Sequence, residues 1–188
     1  MYHIKSDRRS QASALEIVRG MQACLKTTPL KAITVSDIHR VTGISRATFY
    51  RLFDNPEDVL IYQLDQMTEQ AMTVAVYSSD FSTRQVMLDT IALGLQNHEF
   101  LKALVDNDRL DLLFRYTERS FHRLDSAKKI FTEDMAPAER DSIIAHLSMS
   151  MVASQITWSR NGQKESPQDL MRYLKRYTQV VTALLEEE

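Results

Sequence analysis

The sequence predicts an all-α chain of about nine helices. A three-helix N-terminal domain built around a helix-turn-helix leads into a larger C-terminal helical bundle. Three observations point there. Glycine and proline are scarce, four of each in 188 residues, which leaves little turn chemistry for a strand-and-turn fold. Apolar residues recur three and four positions apart, the spacing of one helix face. Capping residues stand just ahead of several of these stripes.

The first helix is read from about residue 7 to 26. Ala14, Ile17, Val18, Met21 and Leu25 share one face, and Gly20 permits close approach to a neighbour. Pro29 ends the connection that follows, and Leu30 and Ile33 lead on. Thr34-Val35-Ser36-Asp37 has the form of a capping box. A Thr34 oxygen accepts from a free first-turn amide while Asp37 reaches back. Val35, Ile38 and Val41 supply a small apolar face. Gly43 ends the helix, because only glycine takes a left-handed backbone cheaply there. Ile44 plugs the angle, and Ser45 N-caps the next helix, residues 46–53. Asn55-Pro56 restarts the chain as an N-cap followed by proline at the first helical position. Two helices across a short glycine turn make a helix-turn-helix, whose second helix enters the major groove.

That second helix sorts its faces by residue type. Phe49 and Phe53 are four apart and pack inward. Ala47 is small and is expected to let helices approach. Arg46 suits a bidentate contact to guanine. Thr48 and Tyr50 are neutral donors suited to phosphate, as is the amide-rich start at Ser45. Arg51 is placed to meet either base or backbone. Ser36, on the first turn of the preceding helix, joins this DNA-facing set. Any capped amphipathic helix pair carries some of these signals. Here caps, glycine, small residue and aromatics fall in one register.

The stretch TVSDIHRVTGISRATFYRLF resembles the DNA-binding domain of the TetR family of transcriptional regulators. The family pattern is matched at Thr34, Ile38, Gly43, Ile44, Ser45, Ala47, Thr48, Phe49, Tyr50 and Phe53. The resemblance implies that Thr34 and Thr48 contact phosphate, that Arg46 reads bases, and that Tyr50 meets backbone or base. Three positions depart from the pattern. Pro56 stands where a phosphate-binding lysine is usual, Leu52 where histidine or tyrosine is frequent, and His39 where a small residue is common. The first two remove expected phosphate contacts, and each charged one removed lowers the salt slope of binding by about one unit. Glu57 and Asp58 flank the amides of the fourth helix and repel a phosphate there.

Bulk properties agree. A chain with 44% hydrophobic residues can bury one sizeable core, or a small domain beside a larger one. The single cysteine, Cys24, excludes an intramolecular disulfide and is read as a core residue in a reducing cytoplasm. No signal peptide is evident, and no apolar run is long enough to span a bilayer, so no membrane partner is expected. The net charge is −2. Residues 1–66 hold nine basic and seven acidic side chains, residues 67–188 fourteen and eighteen. The basic excess thus lies with the DNA-reading end, including an N-terminal arm with Lys5, Arg8 and Arg9.

The remainder reads as helix almost throughout. A fourth helix, about 56–77, lines up Leu60, Leu64, Met67, Ala71 and Val74 and links residues 1–54, the DNA-binding domain, to residues 78–188. Ser82-Thr83-Arg84-Gln85 is another capping box, opening a helix to about 97. A short helix follows to about 106. A longer one, about 109–131, carries Leu110, Leu113, Phe114, Thr117, Phe121 and Leu124 at helical spacing. Residues 132–137 form the next connection.

The last two helices, about 137–161 and from Ser166-Pro167 onward, read as a dimerisation surface. Leu147, Met151, Ser154 and Trp158 on one, and Leu170, Leu174, Tyr177 and Val181 on the other, are the interface candidates. The second stripe alternates spacings of four and three, as in a bundle seam; packing within one subunit is the other reading. A homodimer fits the motif, because one short recognition helix reads too few base pairs. Two-fold pairing implies a palindromic double-stranded operator. Trp158, Gly162, Ser166, Pro167 and Leu170 also resemble a C-terminal pattern of one Firmicutes subgroup of the TetR family, related to the dihydroxyacetone-kinase operon activator.

The family resemblance implies a small-molecule pocket in the C-terminal domain, whose occupation spreads the DNA-reading heads. Met87, Phe100, Phe114, Phe121, His122 and Met149 are the candidate lining, each also readable as core. The subgroup relation leaves a protein effector open. Catalytic readings find no support. The five histidines lack metal-ligand spacing, Cys24 has no partner, and no phosphate-binding or nucleophile-elbow glycine motif occurs. Asp106, Asp108 and Asp111 read as a solvated, helix-starting cluster rather than a metal site. No catalytic residue, metal or cofactor is expected. Three readings remain: a repressor released by a small molecule, a regulator of the same fold controlled by a protein partner, and a helical metabolite-binding protein with weakened DNA affinity.

Overall fold

The structure is a computed structural model. It describes residues 1–77, 82–126, 130–131 and 135–186, with side chains omitted at 74–77 and 83. Among the described residues it is all-α: α1 Arg8–Leu25, α2 Val35–Thr42, α3 Arg46–Leu52, α4 Pro56–Tyr77, α5 Thr83–Gln96, α6 His98–Asp106, α7 Leu110–Ser126, α8 Pro137–Arg160 and α9 Pro167–Leu185. A single 3-10 turn, Leu30–Ala32, separates α1 from α2. The chain forms two compact units, Met1–Met67 with Asp106–Asp108, and Thr68–Val105 with Arg109–Glu188.

The punctuation of the first unit is local chemistry. Asp7 caps α1, its carboxylate accepting from the Ser10 amide at 2.9 Å. The Thr34–Asp37 box closes in both directions. Gly43 takes φ +72° at the end of α2, where a Cβ would be strained whatever the space around it. Gly20 serves a different end: a Cβ there would lie 2.2 Å from the Thr42 methyl, so α1 and α2 touch almost backbone to side chain. Ala47 does not share that role. It is exposed, because the inward face of α3 belongs to Phe49 and Leu52. Val41 is likewise exposed, and Ile38 alone of the α2 stripe is fully buried.

The core of this unit is aromatic. Phe49 and Phe53 lie 5.7 Å apart, and Phe53 meets the Tyr62 ring edge-on, also at 5.7 Å. Both phenylalanines are fully buried with Ile17, Met21, Ile38 and Leu60, and truncating such a ring typically costs about 3–5 kcal/mol. The first turns of α4 thereby join the first unit, which extends past residue 54 to Met67.

The second unit packs α7 against α8, α5 against α9 and α8 against α9. Its core includes Met72, Ile91, Phe121, Ile144, Met151, Trp158 and Leu170. Ser82 caps α5, but Gln85 turns its amide to Asp89 instead of reaching back, so the expected box is half formed. The described part of α7 runs to Ser126, and Ile130 and Phe131, at the expected end near 131, are not helical. Residues 78–81, 127–129 and 132–134, which carry parts of the expected connections, lie outside the described residues.

The α8–α9 corner explains the C-terminal pattern residue by residue. The Trp158 indole N–H donates to the Glu165 carbonyl at 3.1 Å across the turn. Gly162 takes φ +85° after α8. Ser166 and Asp169 form a two-way capping box with Pro167 at the first helical position, and Leu170 drops into the core.

Candidate nucleic-acid interface

The α2–turn–α3 segment is held by side chains that bond the backbone. The Thr42 hydroxyl donates to the Ile38 carbonyl at 2.8 Å and accepts from the Ile44 amide at 3.1 Å. The His39 Nδ1 meets the Ile44 carbonyl at 2.8 Å from the other side. His39, bulky where the family pattern favours a small residue, therefore serves as a brace across the turn. Ser45 accepts from the Thr48 amide at 3.1 Å and lies 3.0 Å from the Thr48 hydroxyl. With its inward face occupied by Phe49 and Leu52, α3 presents Arg46, Tyr50 and Arg51 to solvent. Among the described residues neither arginine pairs with a carboxylate. Two uncompensated cations on one short helix suit a polyanion.

Thr34 and Ser36 are exposed at the start of α2. The Thr34 hydroxyl donates to Asp37 at 2.6 Å, and that bond and the Thr34 amide hold the Asp37 carboxyl below its ordinary range. Thr34 is thus engaged in its own cap, and Asp37 stays ionised beside it.

One sequence expectation changes here. Leu52 is buried to 1% exposure. Its position aims inward, so its place is in the core rather than on the solvent-facing side of α3. At the start of α4 the Asn55 side chain accepts from the Asp58 amide at 3.1 Å. The buried Asp58 carboxylate accepts from the amides of Asp54 and Asn55 at 3.1 and 3.2 Å. A helix start that elsewhere could hold phosphate is closed by its own acid.

The N-terminal segment also differs from a free basic arm. Tyr2 and Phe53 form an antiparallel bridge, and the His3 amide donates to the Leu52 carbonyl at 2.8 Å. The Tyr2 hydroxyl donates to Asp65 at 2.8 Å, its ring sits edge-on to Tyr62, and His3 lies 2.9 Å from Asp54. This segment braces the junction of α3 and α4. Lys5, Arg8 and Arg9 remain exposed beyond it. Sequence reasoning missed the brace because the alternation Tyr-His-Ile is too short to mark a strand.

In the second unit, Met72 of α4, Ile130 and helices α5, α7 and α8 line a cavity of about 240 Å³. Of the candidate lining residues, Met87 and Phe121 face it; Phe100 and Phe114 do not, and His122 is exposed. Phe100 is instead a buried core residue of α6. Met149 is exposed and lines a different feature, an open groove of about 380 Å³ along α8 and α9. Thr90, Tyr116, Thr117 and Ser120 complete the polar part of the cavity wall and were not foreseen, since hydroxyl residues spaced along a helix carry no sequence signal of a shared cavity. Burial pushes the Tyr116 phenol up, keeping it neutral.

The interface candidates divide in the same way. Met151 and Leu170 fill the subunit's own core, and Leu147 lines the cavity. Trp158 is mostly buried. Ser154, Leu174 and Tyr177 line the groove, and Val181 is half-buried. The exposed apolar row of α9 is Tyr173, Tyr177, Val180 and Leu184. It shares Tyr177 with the expected stripe, whose Leu170 and Leu174 pack on the core of the unit instead.

No family model and no curated protein matches the chain. Solved structures do. A TetR transcriptional regulator from Streptococcus agalactiae superposes with a TM-score of 0.64 at 20% identity, over 89% of this chain and 94% of that one. A chain from Syntrophomonas wolfei assigned to the TetR family gives 0.65 at 13%, over 92% and 96%. The fatty acid degradation regulator FadR from Bacillus halodurans gives 0.52 at 14%, over 92% and 95%. At these identities the likeness establishes the fold: this chain has the all-α architecture of TetR-family transcriptional regulators.

Proposed function

We propose that the chain is a TetR-like transcriptional regulator that binds a palindromic operator as a homodimer, acts as a repressor, and is released by a small-molecule effector in the cavity of its second unit. The observation that carries the reading is the braced α2–α3 pair, which turns Arg46, Tyr50 and Arg51 outward, the two arginines without carboxylate partners among the described residues. Ser36, Ser45, Thr48 and Thr34 supply neutral donors around them. The exposed row Tyr173, Tyr177, Val180 and Leu184 on α9, with the α8–α9 groove, supports pairing through the last two helices. The match of Trp158, Gly162, Ser166, Pro167 and Leu170, each with a structural task at the α8–α9 corner, supports a relation to the Firmicutes subgroup of the dihydroxyacetone-kinase operon activator. Such a regulator works in the cytoplasm; no helix among the described residues is long and apolar enough to cross a membrane.

The test is selection of bound DNA from a random pool with the full chain. The expected product is an enriched two-fold palindrome. A pool that shows no enrichment over many rounds at low salt overturns the reading.

A further inference from the structure

Among the described residues, the cavity lined by α4, α5, α7 and α8 carries no charged side chain. Its walls are aliphatic, aromatic and sulfur-bearing side chains with four hydroxyls among them, and among the described residues no lining side chain is ionised. Three of the hydroxyls already donate within their own helices: Thr90 to the Val86 carbonyl at 2.8 Å, Thr117 to Leu113 at 2.9 Å, and Ser120 to Tyr116 at 2.9 Å. Their remaining capacity is to accept. A ligand carboxylate would enter as a desolvated anion facing these oxygen lone pairs, with the neutral Tyr116 phenol as its one donor among the described lining groups. A ligand ammonium would find no counter-charge. Either is strongly disfavoured in such a site.

We propose that this cavity selects an uncharged lipophilic small molecule, one whose polar group, where it has one, donates a hydrogen bond. The proposal rests on the reading of this cavity as the effector site and supplies the effector's chemical class. It has a quantitative consequence for any acid that shares the carbon skeleton of a neutral ligand: the acid can seat only when protonated. A carboxyl with an ordinary pKa near 4.3 is neutral in about one molecule in a thousand near pH 7.3. Its apparent affinity should therefore be depressed by roughly three decades there and should recover about tenfold for each pH unit lowered. A neutral alcohol has no such dependence.

The experiment is calorimetric titration of the full chain, without DNA, with 1-octanol and with octanoate, across the range from about pH 7.5 to about pH 6. The expected result is that octanol binds at least about a hundredfold more tightly than octanoate at the upper end, with octanoate alone gaining affinity as the pH falls. Met87→Trp from the α5 wall, and Leu147→Phe from the α8 wall, occupy the cavity and should weaken octanol at least about tenfold. Octanoate binding as tightly as octanol at the upper pH overturns the proposal, because a cation must then be seating its charge. So does an affinity for octanoate that ignores pH, a failure of both probes to bind, or undiminished octanol binding in a folded filled-cavity variant. The comparison of the two ligands on the unaltered chain stands whether or not a variant folds. Because the titration contains no DNA, its failure is distinct from failure of the operator selection.

Discussion

Gly20→Ala tests the tightest approach in the first unit. Taken alone, the change should help α1, since alanine is favoured over glycine in a helix by about 1 kcal/mol. The structure predicts the opposite sign. The new methyl would lie 2.2 Å from the Thr42 methyl and 3.4 Å from an Ile38 methyl. Restoring ordinary van der Waals separation at the first pair needs a shift of over an ångström. Thr42 cannot simply rotate. Its hydroxyl is tied to the Ile38 carbonyl and the Ile44 amide, and breaking both bonds costs roughly 1 kcal/mol each. The alternative is to move α1 away from α2, and such overpacking typically costs about 1–3 kcal/mol. Set against the propensity gain, the net expectation is a destabilisation of up to about 2 kcal/mol. For a chain of this size that lowers the melting temperature by up to roughly 8 °C. Thermal and urea melts followed by circular dichroism read it. Thr42→Ser removes the clashing methyl and keeps the hydroxyl, so in that background Gly20→Ala should become neutral or stabilising. Gly20→Ala at or above the stability of the unaltered chain, or an effect unchanged by Thr42→Ser, would refute the packing argument.

Arg46→Ala should leave the stability within about half a kcal/mol of the original, as for an exposed residue, and should cost about 1–3 kcal/mol at a selected operator with relaxed base preference; unchanged affinity in a gel-shift titration removes Arg46 from the reading role. Tyr177→Glu on the exposed row of α9 should convert a dimer into a monomer in sedimentation at micromolar protein, and a dimer that survives it places the interface elsewhere. The capping carboxyls Asp37 and Asp169 are both held below their ordinary range, by Thr34 and by Ser166. Their contribution is therefore present above the unfolded carboxyl range and fades as the pH falls through the depressed folded values; melts from neutral to acid pH should show the decline, and Asp37→Asn or Asp169→Asn should each blunt it.

The helix-turn-helix is legible in the sequence because its signals are short-range. A capping box, a glycine and an N-cap act over three or four residues, and the chain carries their chemistry wherever it folds. The same holds for Ser166 and Pro167 at the start of α9. Leu52 and Ala47 escape such a reading for a reason of the opposite kind. On a seven-residue helix the inward face is decided by what packs on it. With the Phe53 ring set between Phe49 and Tyr62, Leu52 turns in and Ala47 turns out. The brace of Tyr2 and His3 depends on partners fifty to sixty residues away, and no local pattern announces it.

The site in the second unit shows the same division. Met87 and Phe121 are recognisable as apolar helix-face residues, yet nothing in their spacing says that they border a space and that Phe100 does not. That follows from how the helices around it meet, whereas the Thr90, Thr117 and Ser120 hydroxyls bond carbonyls of their own helices. By itself the sequence determined the all-α class, the helix boundaries to within a turn for most elements, and the arginines and tyrosine that α3 turns to solvent, because caps, glycines and periodicity are properties of neighbours along the chain. Tertiary structure alone decided which apolar residues are core, which border a cavity and which remain exposed for a partner, because burial is set by contacts between distant elements.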